Sequence, residues 1–192
     1  PETLTAMTRM VREVVGLGLP TGVQLLAGAN IQALSVAFAA GAHFVRVEAF
    51  AFGHLSDEGW MDACAGPLLR KRAILGSEIS IWADVQKKHA SHASTSDLSV
   101  SELAEGHAFC GADVLIATGR STGQRTSLSD VSSLLGAGLP VAVGSGVDVS
   151  DAAALSKKAD ALIVGSSIKQ DGDWRRPVDP ERLKRLVDAL QG

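Results

Sequence analysis

Six times along the chain, a short apolar run stops at a polar residue or a glycine and gives way to a stretch that suits a helix. The runs are Val23–Ala27, His43–Glu48, Ile79–Asp84, Asp113–Thr118, Val141–Gly144 and Ala161–Gly165, and the helical stretches after them are Ile31–Ala40, Met61–Leu75, Val100–Phe109, Leu128–Leu135, Ser150–Lys157 and Pro180–Leu190. Strands that are apolar on both faces and alternate with helices specify a parallel sheet covered by helices. Asp179 before Pro180 supplies an N-cap followed by proline at the first helical position, and Asp148 or Ser150 can cap the helix before it. Leu4, Met7, Met10, Val11 and Val14 recur at helical spacing, so Glu2 to Val15 reads as a leading helix with no strand in front of it. A closed (β/α)8 barrel needs eight strands and usually about 250 residues. Six strands also suit an open doubly wound sheet, and the pattern alone leaves both architectures open.

The 192 residues suit one α/β domain over 1–192, with no linker-like composition break. A net charge of −3 with scattered Lys and Arg gives no basic footprint, so nucleic acid is not an expected partner and small-molecule chemistry is. Cys64 and Cys110 lie far apart without metal-ligand spacing and read as small buried side chains of a reduced protein. From Val14 to Val45 there is no charged side chain, which is long enough to raise a membrane span. Five glycines, one proline, Gln24, Asn30 and Gln32 interrupt it, and a short strand followed by a small-residue helix uses each as a boundary. No transmembrane segment is therefore expected. That helix is apolar nearly all round, so the rest of the protein or a second copy of the chain must cover it.

Two successive runs end in Gly-Ser: VAVGSGV at Gly144, Ser145 and Gly146, and ALIVGSSIK at Gly165, Ser166 and Ser167, with Lys169 close behind. Glycine lets an anion approach the backbone amides, serine adds a hydroxyl, and the loops after the last two strands of barrels often grip a phosphate. Either turn alone would be an ordinary strand-to-helix connection; the doubling favours a phosphate site.

The loop ADVQKKHASHAST puts Asp84 at a strand end, followed by Lys87, Lys88, His89 and His92. We expect Asp84, Lys88 and His89 at the reacting end of a ligand, the carboxylate orienting an imidazole, the histidine moving protons and the lysine neutralising charge. Asp84, His89 and His92 are also candidate ligands for a divalent metal, although the spacing matches no strong signature. Asn30, Glu48, Thr118 and Thr122 follow or end other strands and are further mouth candidates, with Arg46 spaced to share a face with Glu48 and pair with it. Trp174 is expected to pack over the last helix.

The ordered set RVEAFAFGHLSDEG, ACAGPLLRKR, ADVQKKHASHAST, VLIATGRSTG, VAVGSGV, ALIVGSSIKQDG and PVDPERLKRLV resembles the BtpA/SgcQ family over nearly the whole chain, and the KKH-S-H loop is most similar to its eukaryotic-type branch. The resemblance implies a TIM barrel of the ribulose-phosphate-binding type. It also implies that PETLTAMTRMVREV is the helix after the second strand, so that the six strands are the third to eighth of a barrel that this chain does not close. One branch of the family is associated with photosystem I biogenesis and peripheral membrane attachment, another with nucleotide hydrolysis. The resulting expectation is a soluble protein of cytoplasm or organelle matrix that binds a phosphorylated small molecule, with hydrolysis as its reaction class. The alternative is a noncatalytic assembly factor that uses the barrel as a scaffold.

Overall fold

The computed structural model describes residues 1–118, 126 and 128–191. Helix α1 (Glu2–Val15) leads, and β1 (Gly22–Val23), α2 (Asn30–Ala40), β2 (Phe44–Val47), β3 (His54–Ser56), β4 (Gly59–Met61), α3 (Ala65–Ile74), β5 (Ser80–Asp84) and β6 (Ala90–Ser91) come next. Then come α4 (Val100–Phe109), β7 (Val114–Ala117), α5 (Leu128–Leu135), β8 (Val141–Val143), α6 (Val149–Ser156), β9 (Ala161–Leu162) and α7 (Pro180–Gln191). Six strands form one parallel sheet in the order β1-β2-β5-β7-β8-β9. Each new strand is added at the same edge. A doubly wound sheet reverses direction at a switch point and this one never does, which is the winding of a barrel.

Register and alternation divide the sheet into two faces. Arg46 lies opposite Trp82, Trp82 opposite Val114, and Ile116 opposite Ala142. Val45, Val47, Ile81, Ala83 and Leu115 are fully buried on the helix-covered face. Phe44, Arg46, Trp82, Asp84, Val114, Ile116 and Gly144 therefore line the other face, the barrel interior. At its lower level Phe44 and Trp82 stack with ring centroids 4.2 Å apart. One step towards the strand carboxyl ends the face turns from aromatic to charged.

Capping sets the helix starts. Ser99 accepts from the Glu102 amide and the Glu102 carboxylate takes the Ser99 amide, while Asp148 and Asp151 make the same reciprocal box at α6. Asp179 accepts from the amides of Glu181 and Arg182, as the Asp-Pro signature predicts. Uncharged α2 packs against α1, α3 and the first two strands with Leu34, Ala33 and Ala37 fully buried. Among the described residues no helix is long and apolar enough to cross a membrane.

Three expectations are corrected. The stretch Met61–Leu75 is not helical from its start: Met61 ends β4, and α3 begins at Ala65. β3, β4 and β6 form a separate antiparallel sheet in the order β4-β3-β6, which the periodicity did not reveal. Trp174 is 65% exposed, with the Arg175 guanidinium 5.0 Å from its ring centre.

Candidate functional site

At the carboxyl ends of the strands two cavities adjoin. One, of about 350 Å3, is lined by charged side chains from β2, β5 and the β3–β4 hairpin; the other, of about 590 Å3, is lined by the turns after β8 and β9. Arg46, Lys88, Gly144 and Ser145 border both.

The charged half grows out of strand register. Asp84 lies two residues beyond Trp82, the residue opposite Arg46, so the two side chains meet on the interior face. Arg46 Nε donates to Asp84 Oδ2 and Nη2 to Oδ1, both at 2.9 Å. This bidentate pair replaces the Arg46–Glu48 pairing expected from alternation along one strand, because the neighbouring strand offers a better-aimed partner. Burial pushes the Asp84 carboxyl above the usual carboxylate range, with Arg46 opposing. Burial also works against the Arg46 charge, but Asp84 outweighs it and holds the guanidinium above its ordinary value.

Glu48 is held from behind. Asn30 donates to its backbone carbonyl at 2.8 Å and the Gly28 amide to its Oε2 at 3.3 Å. Asn30 is thus a buried brace, not a mouth residue. Its other contact is Cys64 Sγ at 3.2 Å, and burial pushes that thiol up to about 11, so Cys64 stays protonated near neutral pH. In front of Glu48 the Lys87 ammonium lies 3.6 Å from Glu48, 3.9 Å from Asp57 and 3.2 Å from Glu58. Asp57 and Glu58 form the tip of the β3–β4 hairpin, which the Asp57 amide ties to the His89 carbonyl at 3.0 Å.

Lys88 and His89 line the charged cavity. Lys88 makes no ion pair among the described residues; burial and the nearby Arg46 hold its amine below the ordinary lysine value. His92 does not join them. Its Nε2 lies 3.0 Å from the Lys87 carbonyl and its ring 5.0 Å from His54. Asp84, His89 and His92 therefore do not converge, and among the described residues no cluster of three or more His, Cys, Asp or Glu is placed to hold a metal ion. Thr118 reaches the cavity and donates to the Gln86 carbonyl, while Thr122 lies outside the described residues.

The other half is made of backbone. Gly144, Ser145, Gly146, Gly165, Ser166 and Ser167, the two Gly-Ser turns, line one cleft. Gly144 has to be glycine, since a Cβ there would lie 2.5 Å from Ile116 Cγ2 and 2.9 Å from Thr118 Cγ2. At Gly165 a Cβ would meet nothing within 4 Å. The amides of Gly146, Gly165, Ser166 and Ser167 donate to no group among the described residues, whereas the first amides of α6 are taken by its own capping box. Lys169 is directed elsewhere: its Nζ donates to the Trp174 carbonyl at 2.9 Å. Lys88 and Arg46 are the cations beside the cleft instead.

Asp57, Glu58 and Lys87 were not singled out from sequence as site residues, although Lys87 stands in the quoted loop. The available signal was Leu-Ser-Asp-Glu-Gly-Trp, an acidic turn between two short alternating runs, closed by Gly59 at φ 109°.

A family model described as the BtpA family matches residues 1–192. An uncharacterized mitochondrial protein of Caenorhabditis elegans is 42% identical over 169 residues, 87% of this chain and 61% of that protein. The photosystem I biogenesis protein BtpA of a Synechocystis species is 33% identical over 195 residues, 99% of this chain and 67% of that protein. The chain thus spans about three fifths to two thirds of the length of these relatives. Among solved structures, 3-hexulose-6-phosphate synthase superposes with a TM-score of 0.64 at 16% identity, over 97% of this chain and 80% of that one. N-(5'-phosphoribosyl)anthranilate isomerase of Pyrococcus furiosus gives 0.63 at 12% identity, over 96% and 80%. At such identities the likeness concerns the fold alone: a parallel α/β sheet of the TIM-barrel type.

Proposed function

Because the chain belongs to the BtpA family, and its strand ends carry an amide-lined cleft against a charged cavity, we propose that it binds a small phosphorylated molecule with the phosphate on the two Gly-Ser turns. The observation that carries this reading is the convergence of six Gly and Ser residues with Lys88 and Arg46 around one cleft. Amides without partners among the described residues, together with two cations, make a site for a doubly charged anion. The names of the two superposed enzymes, each with a phosphorylated compound in it, agree with this use of the fold.

The reaction class we assign is hydrolysis of a phosphate ester. Water would add to phosphorus, the P–O bond to the organic part would break, and the departing oxygen would take up a proton. Lys88 would neutralise charge on the phosphoryl oxygens, His89 would relay the proton, and Asp84 would hold Arg46 over the mouth. We assign the protein to a soluble compartment, cytoplasm or organelle matrix; the mitochondrial name of the nematode relative supports the latter.

Thermal unfolding of the chain with and without inorganic phosphate tests the binding. Phosphate should raise the midpoint, and the rise should shrink in Gly146→Asp and Lys88→Met. No effect of phosphate on the unsubstituted chain would dispose of the reading.

One observation favours a second reading, the name of the Synechocystis relative: a noncatalytic assembly factor presenting its outer helices to a partner. Asp84→Ala and His89→Ala separate the two. A cellular phenotype that survives both but is lost on changing exposed helix residues such as Ile74 or Phe109 would favour assembly.

A further inference from the structure

We infer that the part of the ligand beyond its phosphate is a short hydroxyl-rich chain, and neither a nucleobase nor a carboxylate-bearing group. This rests on the phosphate reading above and specifies the substrate class of the same site.

The two cavities share a border of Arg46, Lys88, Gly144 and Ser145, so a molecule whose phosphate sits on the turns extends directly into the charged cavity. Among the described residues no Phe, Tyr or Trp side chain lines that cavity, where the one ring is the His89 imidazole, and its one large apolar residue, Leu26, is 70% exposed at the rim. On the interior face below, Phe44 and Trp82 stack on each other and lie one strand step beneath the Arg46–Asp84 pair. A base entering the cavity finds no Phe, Tyr or Trp ring to lie on, and stacking on such rings is what proteins commonly use to hold a base.

The groups that do line the cavity suit hydroxyls. Glu48, Asp57 and Glu58 gather around the single Lys87 ammonium, which leaves carboxylate oxygens able to accept O–H donors. With Arg46 paired to Asp84 and Lys88 at the border with the phosphate cleft, three carboxylates against the Lys87 ammonium leave an excess of negative charge at this end, and a second anionic group on the ligand is repelled there. The volume of about 350 Å3 is at the small end of ligand sites.

Four probes, unlike in the group that the phosphate carries, test this on the 192-residue chain: inorganic phosphate, ribose 5-phosphate, 3-phosphoglycerate and AMP, titrated against thermal unfolding. Ribose 5-phosphate should half-saturate about tenfold below inorganic phosphate, while AMP and 3-phosphoglycerate should do no better than inorganic phosphate. In Asp57→Asn/Glu58→Gln, 3-phosphoglycerate should gain on inorganic phosphate. AMP or 3-phosphoglycerate matching ribose 5-phosphate on the unsubstituted chain would overturn the inference. If inorganic phosphate protects and ribose 5-phosphate adds nothing, this inference alone falls. If no probe protects, the phosphate reading falls with it. The ranking on the unsubstituted chain decides the matter whether or not the double variant folds.

Discussion

The two halves of the mouth are made of different material. After β8 and β9 the side chains shrink to glycine and serine and the backbone faces the cleft. At the carboxyl ends of β2 and β5 stand Arg46, Glu48 and Asp84 instead, each held by a partner. Backbone amides are fixed by the strands behind them and would read only an anion, so on the proposed reading that half is indifferent to what the phosphate is attached to. Charged side chains held by one another distinguish donors from acceptors. On the proposed reading the difference teaches where affinity and where selectivity would reside: the turns after β8 and β9 would grip, and the ends of β2 and β5 with the acidic hairpin would choose.

The largest expected effect comes from breaking the charged half. Arg46→Met leaves the Asp84 carboxylate, with a side chain 3% exposed, without its counter-charge. Uncoupling a buried pair in this way costs about 3 kcal/mol, the lower end applying because the Arg46 side chain is itself part-exposed. Chemical denaturation should show that loss, and Arg46→Met/Asp84→Leu should recover most of it. A single variant as stable as the parent would mean that the pair does not organise this half.

The backbone half makes a subtler demand, visible in two of its glycines. Gly144→Ala forces a Cβ to 2.5 Å from Ile116 Cγ2 and should cost about 1–3 kcal/mol through overpacking. Gly165→Ala meets nothing, so stability should stay within about 0.5 kcal/mol of the parent while phosphate protection falls. Unfolding curves recorded with and without phosphate measure both. Gly165→Ala that keeps full phosphate protection would show that its glycine serves the chain and not an anion.

Much of the backbone half was legible in the sequence, because each turn comes directly after an apolar run whose end is marked by Gly-Ser. The six strands of the parallel sheet were legible for the same reason, although the contest between barrel and open sheet needed the strand order. The charged half was less so. Alternation places Arg46 and Glu48 on one face of β2, but which carboxylate Arg46 takes depends on its register with β5, which periodicity within a strand does not contain. The small antiparallel sheet escaped because its strands run to three residues or fewer, too short for any period to show. Lys169 was placed by proximity in sequence, and a side chain of that length goes where its last hydrogen bond takes it, here the Trp174 carbonyl.

Lys88 stands on the border of the two halves, and its protonation should decide how strongly they act together. Its amine lies below the ordinary lysine value through burial, with Arg46 adding to the effect. A bound phosphate dianion stabilises the charged form, so the amine's value is higher in the complex than in the free protein. Affinity is then complete below the depressed value of the free protein and falls as pH rises from that value to the one in the complex. On the acid side affinity should fall again as a phosphate monoester takes up its second proton near about pH 6. Half-saturation measured against pH should therefore trace a bell whose alkaline limb begins below the range of an exposed lysine. Lys88→Arg should remove that limb, and Lys88→Met should weaken binding throughout and flatten it. Charging Lys88 is unfavourable in the folded chain, so the Met variant should unfold within about 0.5 kcal/mol of the parent, with any difference in favour of the variant. An alkaline limb that persists unchanged in Lys88→Met would assign it to another group and leave Arg46 as the cation that joins grip to choice.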